Sequence, residues 1–259
     1  GLFVATNVVL LSGGSMIFLP KFDPDRIFEA MGRATVLMGV PTFYVRLLGD
    51  ARLDAEATRN MRLFISGSAP LLADTHRAWQ ARTGHAILER YGMTETNMNS
   101  SNPYEGERIA GTVGLPLPGV EILVTDPETG APLPQGEIGM IEVRGPNVFK
   151  GYWQMPEKTA AELRPTGFFI TGDVGKITPD GFLTLTDRAK DVIKSGGEWI
   201  SSIDMENALV ALDGVVEATV IGVPHPKWEE RPLALVVRSE GSAVTDESVR
   251  EHLSSSFAS

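Results

Sequence analysis

Between Val36 and Leu88 short apolar runs alternate with amphipathic stretches, and this rhythm restricts the fold more than any other feature of the chain. Thr35-Val36-Leu37-Met38-Gly39-Val40, Leu63-Phe64-Ile65-Ser66 and Ala86-Ile87-Leu88 each read as a strand. Upstream, Val8-Val9-Leu10-Leu11 is a short apolar run, and Ser15-Met16-Ile17-Phe18-Leu19 reads as a buried strand. Asp23-Pro24 opens a helix with a capping carboxylate and a proline at its first position, and Ile27, Phe28 and Met31 fall on one face. Asp54 to Asn60 is polar and reads as helical, and Leu71 to Arg82 forms the next helix. Strand, helix, strand in this order argues an α/β layer with a mostly parallel sheet.

From about Gly114 the period changes to two. Val120 to Val124, Gly139 to Arg144 and Phe182 to Thr186 are short alternating runs, the last following an Asp180-Gly181 turn. This stretch reads as a small antiparallel barrel or sandwich. Beyond residue 190 the pattern is α+β, with a helix over Ile203 to Leu212 and strands over Val215 to Val223 and Leu233 to Val237.

Composition narrows the function. The formal net charge of −10 argues against binding a nucleic-acid backbone, which rests on clustered Lys and Arg. No apolar window is long enough to predict a membrane-spanning helix. Zero Cys excludes a disulfide framework, a thiolate metal site and a Cys nucleophile, and fits a cytoplasmic protein. No Gly-x-Ser-x-Gly elbow is present, which weakens a hydrolase reading. His76, His85, His225 and His252 are scattered without metal-site spacing, and Asp204 and Glu206 read as helix-start carboxylates. The chain opens on Gly1-Leu2-Phe3 and closes on Phe257-Ala258-Ser259 within a helical pattern, so both ends read as cut and a fragment is expected.

Three turns rich in small or hydroxyl residues follow strands: Ser66-Gly67-Ser68-Ala69-Pro70, Tyr91-Gly92-Met93-Thr94-Glu95-Thr96 and Thr171-Gly172-Asp173. Ligands of open α/β sheets sit beyond the carboxyl ends of strands, where such turns let backbone approach closely. Tyr91 can stack on a base, Thr94 can bond a phosphate oxygen, Glu95 can hold Mg²⁺, and Asp173 can accept both hydrogens of a ribose diol. Together they describe a nucleotide site. The run Asp187-Arg188-Ala189-Lys190-Asp191-Val192-Ile193-Lys194-Ser195-Gly196-Gly197-Glu198 carries dense charge before a glycine pair. Charge pattern alone favours a solvated hairpin there, with a hinge as the alternative.

In this order, Tyr91-Gly92-Met93-Thr94-Glu95, Ile170-Thr171-Gly172-Asp173, Asp187-Arg188-Ala189-Lys190-Asp191 and Lys194-Ser195-Gly196-Gly197-Glu198 resemble the adenylate-forming superfamily of acyl-CoA synthetases, peptide adenylation domains and firefly luciferase. Gly111-Thr112-Val113-Gly114, Gly136-Glu137-Ile138-Gly139, Arg144-Gly145-Pro146 and Lys150-Gly151-Tyr152-Trp153 agree, so the resemblance spans essentially the whole chain. It implies residues 1–189 as the C-terminal half of the large domain, with an α/β layer over 1–113 and a barrel-like part over 114–189. Residues 190–259 would be a truncated small α+β domain. It further implies ATP, Mg²⁺ and coenzyme A as cofactors and a carboxylic acid as substrate. Gly67, Ser68, Ala69 and Gly92 would line the nucleotide and acyl pocket, and Tyr91 would stack on adenine. Ser66, Arg90 and Met93 would face the acid, Thr94 the α-phosphate, and Glu95 the metal. Asp173 and Arg188 would hold ribose and phosphate, Lys190 would be the hinge, and Ser195, Gly196, Gly197 and Glu198 would line the pantetheine tunnel.

The run Leu88-Glu89-Arg90-Tyr91 looks like that of malonyl-CoA synthetases, and Arg90 suits a second carboxylate on the substrate. The alternative for Arg90 is a surface or interdomain salt bridge. The C-terminal part, from Lys190 to Ser202 and Pro224 to Pro232, is more similar to medium- and long-chain fatty acyl-CoA synthetases, and Glu229 stands where those commonly have Gly. Trp199 and Trp228 have packing as their simplest role. The family's phosphate loop and its terminal catalytic Lys have no match here, so the resemblance implies little or no adenylation by the isolated chain. A non-catalytic nucleotide- or protein-binding remnant of the same fold is the rival from another class.

Overall fold

The computed structural model describes residues 2–257. Gly1 and Ala258-Ser259, on which the expectation of cut ends partly rests, lie outside them. The elements in chain order are α1 (Leu2–Leu11), α2 (Pro24–Met31), β1 (Val36–Gly39), α3 (Pro41–Leu48), β2 (Leu63–Ser66), α4 (Ala73–Thr83), β3 (Leu88–Tyr91), β4 (Ser100–Ser101) and β5 (Leu115–Pro116). There follow β6 (Glu121–Thr125), β7 (Gly139–Arg144), α5 (Pro156–Glu162), β8 (Phe169–Ile177) and β9 (Leu183–Arg188). The last elements are β10 (Ile193–Ser195), β11 (Glu198–Ile200), α6 (Ser202–Val210), β12 (Val215–His225), β13 (Glu229–Arg238) and α7 (Asp246–Ser256).

Two compact units divide these residues. Among the described residues one comprises 2–123, Glu142–Ile170 and Ile177–Thr184; the other Val124–Ile141, Thr171–Lys176 and 185–257. A four-stranded sheet of order β6-β7-β8-β9 occupies the stretch expected as a small barrel or sandwich.

In the first unit β1 pairs parallel with β2 and β2 with β3, while β4 and β5 extend the sheet antiparallel. All four residues of β2 are buried. The core beneath is built on Met31, Tyr44, Leu47, Phe64, Trp79 and Ile87. Asp23 caps α2 by accepting from the Arg26 N–H, with Pro24 at the first position, as the sequence signalled.

Three expectations need correction. Ser15 to Leu19 forms no strand: Met16, Ile17 and Phe18 are exposed and have no strand partner among the described residues. An unpaired strand cannot satisfy its backbone groups. Asp54 to Asn60 is a series of turns, because the Asp54 carboxylate captures the Ala57 N–H at 2.7 Å and the Arg59 N–H bonds back only three residues to Glu56. The third inner strand begins at Leu88, two residues later than its apolar run.

The second unit holds the sheet β11-β10-β13-β12. Ile193, Met205, Leu209, Ala218 and Val220 form its core with α6 and α7. Ser201 caps α6 by accepting from the Asp204 N–H, and Thr245 with Ser248 forms a reciprocal box at the start of α7.

Candidate active site

Parallel pairing sets the geometry of the first unit. Because β2 and β3 run side by side with Ser66 opposite Glu89, their carboxyl ends deliver Gly67–Pro70 and Gly92–Thr96 to the same edge of the sheet. Two local conformations shape these turns. Ser68 sits at φ +71, a left-handed backbone that an L-residue holds at a cost of about 1–2 kcal/mol. Gly92 is packed so tightly that a Cβ would lie 1.9 Å from the Asn97 carbonyl oxygen, so no other residue fits without opening the turn. Gly67 rests against Arg90, where a Cβ would lie 3.4 Å from its carbonyl oxygen.

The expected side chains occupy distinct environments. Tyr91 and Ser66 are buried, Met93 and Glu95 are half-buried, and Thr94 and Ser68 are exposed. The Ser66 hydroxyl has no hydrogen-bond partner among the described residues. Arg90 is half-buried, and among the described residues its guanidinium has hydrogen-bond contacts only with the sulfurs of Met98 and Met38, each at 3.8 Å. Among the described residues no carboxylate lies within ion-pair distance of it, and burial lowers its pKa from the ordinary arginine value. A desolvated guanidinium facing thioethers can receive an anion.

Glu95 is held at both ends by one later segment. Its carbonyl accepts from the Phe149 N–H at 2.7 Å, and its carboxylate Oε1 accepts from the Tyr152 hydroxyl at 3.2 Å. The same hydroxyl lies 2.6 Å from Glu162 Oε2. Burial, followed by the two carboxylates, pushes the Tyr152 phenol above its ordinary range. Asn147 braces the turn by donating from Nδ2 to the Thr96 carbonyl at 2.6 Å and the Met98 carbonyl at 3.1 Å. Sequence reasoning assigned no role to Asn147, Phe149 or Tyr152. The signal was present, since they interleave with two motifs already quoted, Arg144-Gly145-Pro146 and Lys150-Gly151-Tyr152-Trp153.

Glu89, the neighbour of Arg90, is buried against His76, with Nδ1 and Oε1 3.3 Å apart. Burial is the main cause that raises the Glu89 carboxyl above its ordinary pKa, opposed by hydrogen bonds from His76 and from the Gly111 and Leu71 backbone. A raised native pKa means the folded chain holds the proton more tightly than the unfolded chain. The stability tied to Glu89 is therefore complete below the unfolded carboxylate pKa of about 4.3 and is lost as pH rises through the native value. Glu89→Gln removes this dependence. Urea midpoints of the variant should rise relative to wild type as pH increases above about 4.3, and parallel profiles would contradict the assignment.

In the second unit the expected residues Asp173 and Arg188 are brought together, with Arg188 Nε 2.8 Å from Asp173 Oδ1. Asp173 is buried, and Thr171 fixes its backbone by accepting the Asp173 N–H at 3.1 Å while donating to the Ile141 carbonyl at 2.8 Å. The Ala189 N–H closes the pair by donating to the Gly172 carbonyl at 2.9 Å. Lys190 is exposed, with Asp191 3.8 Å away. Ser195, Gly196, Gly197 and Glu198 form a two-residue hairpin between β10 and β11. Gly196 and Gly197 have φ +61 and +85, as a primed turn requires. Trp228 packs on that hairpin, where a Cβ on Gly196 would lie 2.8 Å from its ring, and Lys194 lies over the Trp199 ring. Glu229, where fatty acyl-CoA synthetases commonly have glycine, adopts φ +66. Asp187, unassigned from sequence, accepts from the Ser202 N–H and hydroxyl at 2.8 and 2.7 Å and so ties the end of β9 to the start of α6.

Among the described residues no group of three or more metal-ligating side chains converges. Glu95 offers a single half-buried carboxylate whose Oε2 takes no protein hydrogen bond. That donor set fits Mg²⁺, which is commonly held by one or two carboxylates together with substrate phosphates and water.

The family model of AMP-binding enzymes matches residues 1–153, and that of the AMP-binding enzyme C-terminal domain matches residues 204–259. The chain belongs to the AMP-binding enzyme family. Its fold matches a crystal structure of ATP-bound MatB from Rhodopseudomonas palustris at a TM-score of 0.92 and 61% identity, covering 100% of this chain and 51% of that one. It is 37% identical to a malonate–CoA ligase of Arabidopsis thaliana, over 92% of this chain and 42% of the relative. A long-chain-fatty-acid–CoA ligase of Thermus thermophilus is 36% identical, over 90% of this chain and 46% of that protein. The chain thus spans about half the length of these members of the family. No helix among the described residues is long and apolar enough to cross a membrane.

Proposed function

We propose that the chain is part of an AMP-forming acid–thiol ligase of the cytoplasm that activates malonate with ATP and transfers it to coenzyme A. Arg90 carries the choice of acid: it is desolvated, unpaired with any carboxylate among the described residues, and adjacent to Tyr91 at the sheet edge. A substrate with a second carboxylate supplies the missing partner in bidentate form. The similarity to the Arabidopsis malonate–CoA ligase supports the same reading.

In this reading Tyr91 stacks on adenine, and Gly67, Ser68, Ala69 and Gly92 let backbone approach the nucleotide. Ser66 and Met93 flank the acid with Arg90, Thr94 bonds the α-phosphate, and Asp173 with Arg188 holds the ribose side. Mg²⁺, held by Glu95 and the phosphates, would neutralise phosphate charge. The substrate's reacting carboxylate oxygen attacks the α-phosphorus and pyrophosphate leaves; the CoA sulfur then attacks the acyl carbon, AMP leaves, and the thiol proton is released. The protein's part is positioning and electrostatics rather than covalent chemistry. Lys190 serves as the hinge between these two steps, and Ser195, Gly196, Gly197 and Glu198 line the path of the CoA arm. Residues 1–189 act as part of the large domain and 190–259 as part of the small one.

Product analysis tests this. The protein expressed from its complete open reading frame, given ATP, Mg²⁺, CoA and malonate, should yield AMP and a malonyl thioester. Release of ADP, or a thioester formed from octanoate and not from malonate, would contradict it. The second outcome would favour the fatty acyl reading that the Trp199 and Trp228 segments suggest. Nucleotide binding without acid-dependent AMP release would favour a non-catalytic remnant.

A further inference from the structure

We propose that Tyr152, anchored by Glu162, is the positioning residue that aims the Glu95 carboxylate at the cation. The inference rests on the nucleotide-site reading of the turn that carries Glu95.

The segment after Asn147 does more than cover this turn. The Phe149 N–H fixes the Glu95 carbonyl at 2.7 Å, while the Tyr152 hydroxyl reaches its carboxylate Oε1 at 3.2 Å. One side chain therefore has its backbone and its head group held by residues three apart. Tyr152 is itself immobilised from several directions. Its N–H donates to the Thr159 hydroxyl at 2.9 Å, and its ring meets Phe149 edge-on at 4.8 Å. The Lys158 ammonium lies over that ring at 4.2 Å, and Glu162 Oε2, 2.6 Å from the hydroxyl, shares its single proton with Glu95 Oε1 in a three-centre hydrogen bond.

The placement is selective in what it occupies. Tyr152 engages Oε1 alone, and among the described residues Oε2 takes no protein hydrogen bond. Lys158 stands 4.0 Å from Glu162 Oε1 and offsets the charge of the second carboxylate, so Glu162 acts on the hydroxyl and does not compete for the cation. A glutamate without this brace would sample several rotamers, and ordering it would weaken cation binding.

Tyr152→Phe removes the hydroxyl and leaves the ring contacts in place. With protein from the complete reading frame, the Mg²⁺ concentration for half-maximal AMP release should rise about five- to tenfold, while the rate at saturating Mg²⁺ stays within about twofold. Mn²⁺ binding in the presence of ATP, read from the electron paramagnetic resonance of free Mn²⁺, should weaken by a similar factor. Glu162→Ala, which keeps Tyr152 and leaves its hydroxyl proton to Glu95 alone, should move both readouts by a smaller factor than Tyr152→Phe does. Unchanged metal dependence in both variants, or a uniform loss of rate with unchanged Mn²⁺ binding, would overturn the proposal. Wild-type protein that releases no AMP would instead sink the ligase reading, and Mn²⁺ binding would then judge Tyr152 alone.

Discussion

Arg90→Leu should lower kcat/KM for malonate by two to three orders of magnitude and leave that for acetate or propionate unchanged or raised. Removing one partner of a desolvated charge pair costs about 2–5 kcal/mol, which corresponds to this range. The asymmetry between acids is the informative part. A monocarboxylate offers nothing to the guanidinium, so its activation does not depend on Arg90, and leucine makes the pocket more apolar. Arg90→Lys should lie between, because an ammonium keeps the charge but not the paired donors. The substitution should not unfold the protein: among the described residues the Arg90 guanidinium has hydrogen-bond contacts only with the sulfurs of Met38 and Met98, and burial disfavours its charge. Steady-state rates across a short panel of mono- and dicarboxylates decide the matter. An equal loss for acetate and malonate would remove Arg90 from acid selection.

Trp79→Ala should reduce unfolding free energy by about 3–5 kcal/mol, whereas Trp79→Phe should cost less than half as much. Trp79 is fully buried at the centre of the first unit's core, with Tyr44 and Phe64 meeting its ring edge-on at 5.0 Å each. Alanine abandons both ring contacts and leaves a void that the strand β2 and helix α3 cannot fill. Phenylalanine keeps an aromatic face for both neighbours and also removes the indole N–H, which has no hydrogen-bond partner among the described residues. An orphaned buried donor costs about 1–3 kcal/mol, which offsets part of the lost volume. Denaturant unfolding of the two variants side by side checks this. Similar losses for both would mean that the indole N–H finds a partner or that the site collapses.

The parts of the fold legible in sequence were those in which local chemistry and tertiary packing agree. Asp23-Pro24 announced α2, and the apolar runs at Val36 and Leu63 announced the inner parallel strands. Ser15 to Leu19 misled because an apolar run reports burial or pairing without saying whether a partner strand exists. Asp54 to Asn60 misled because a side chain that captures a nearby N–H competes with the helix whose start it resembles. The same division runs through the candidate site. Turn residues such as Gly92 and the glycine pair at 196–197 are legible because backbone geometry permits few alternatives there. Asn147, Phe149 and Tyr152 act across about fifty residues of sequence, through hydrogen bonds that no spacing rule encodes. Asp187 likewise looked like one charge in a charged run until its contact with Ser202 placed it at the head of α6.

Direct competition between malonate and octanoate for the wild-type protein from its complete reading frame, read as the ratio of the two thioesters formed with ATP, Mg²⁺ and CoA, tests the central claim. A desolvated arginine at the proposed acid subsite predicts a preference for malonate of about a hundredfold or more, the discrimination that pairing a buried charge provides. Parity between the two acids, or a preference for octanoate, would contradict it.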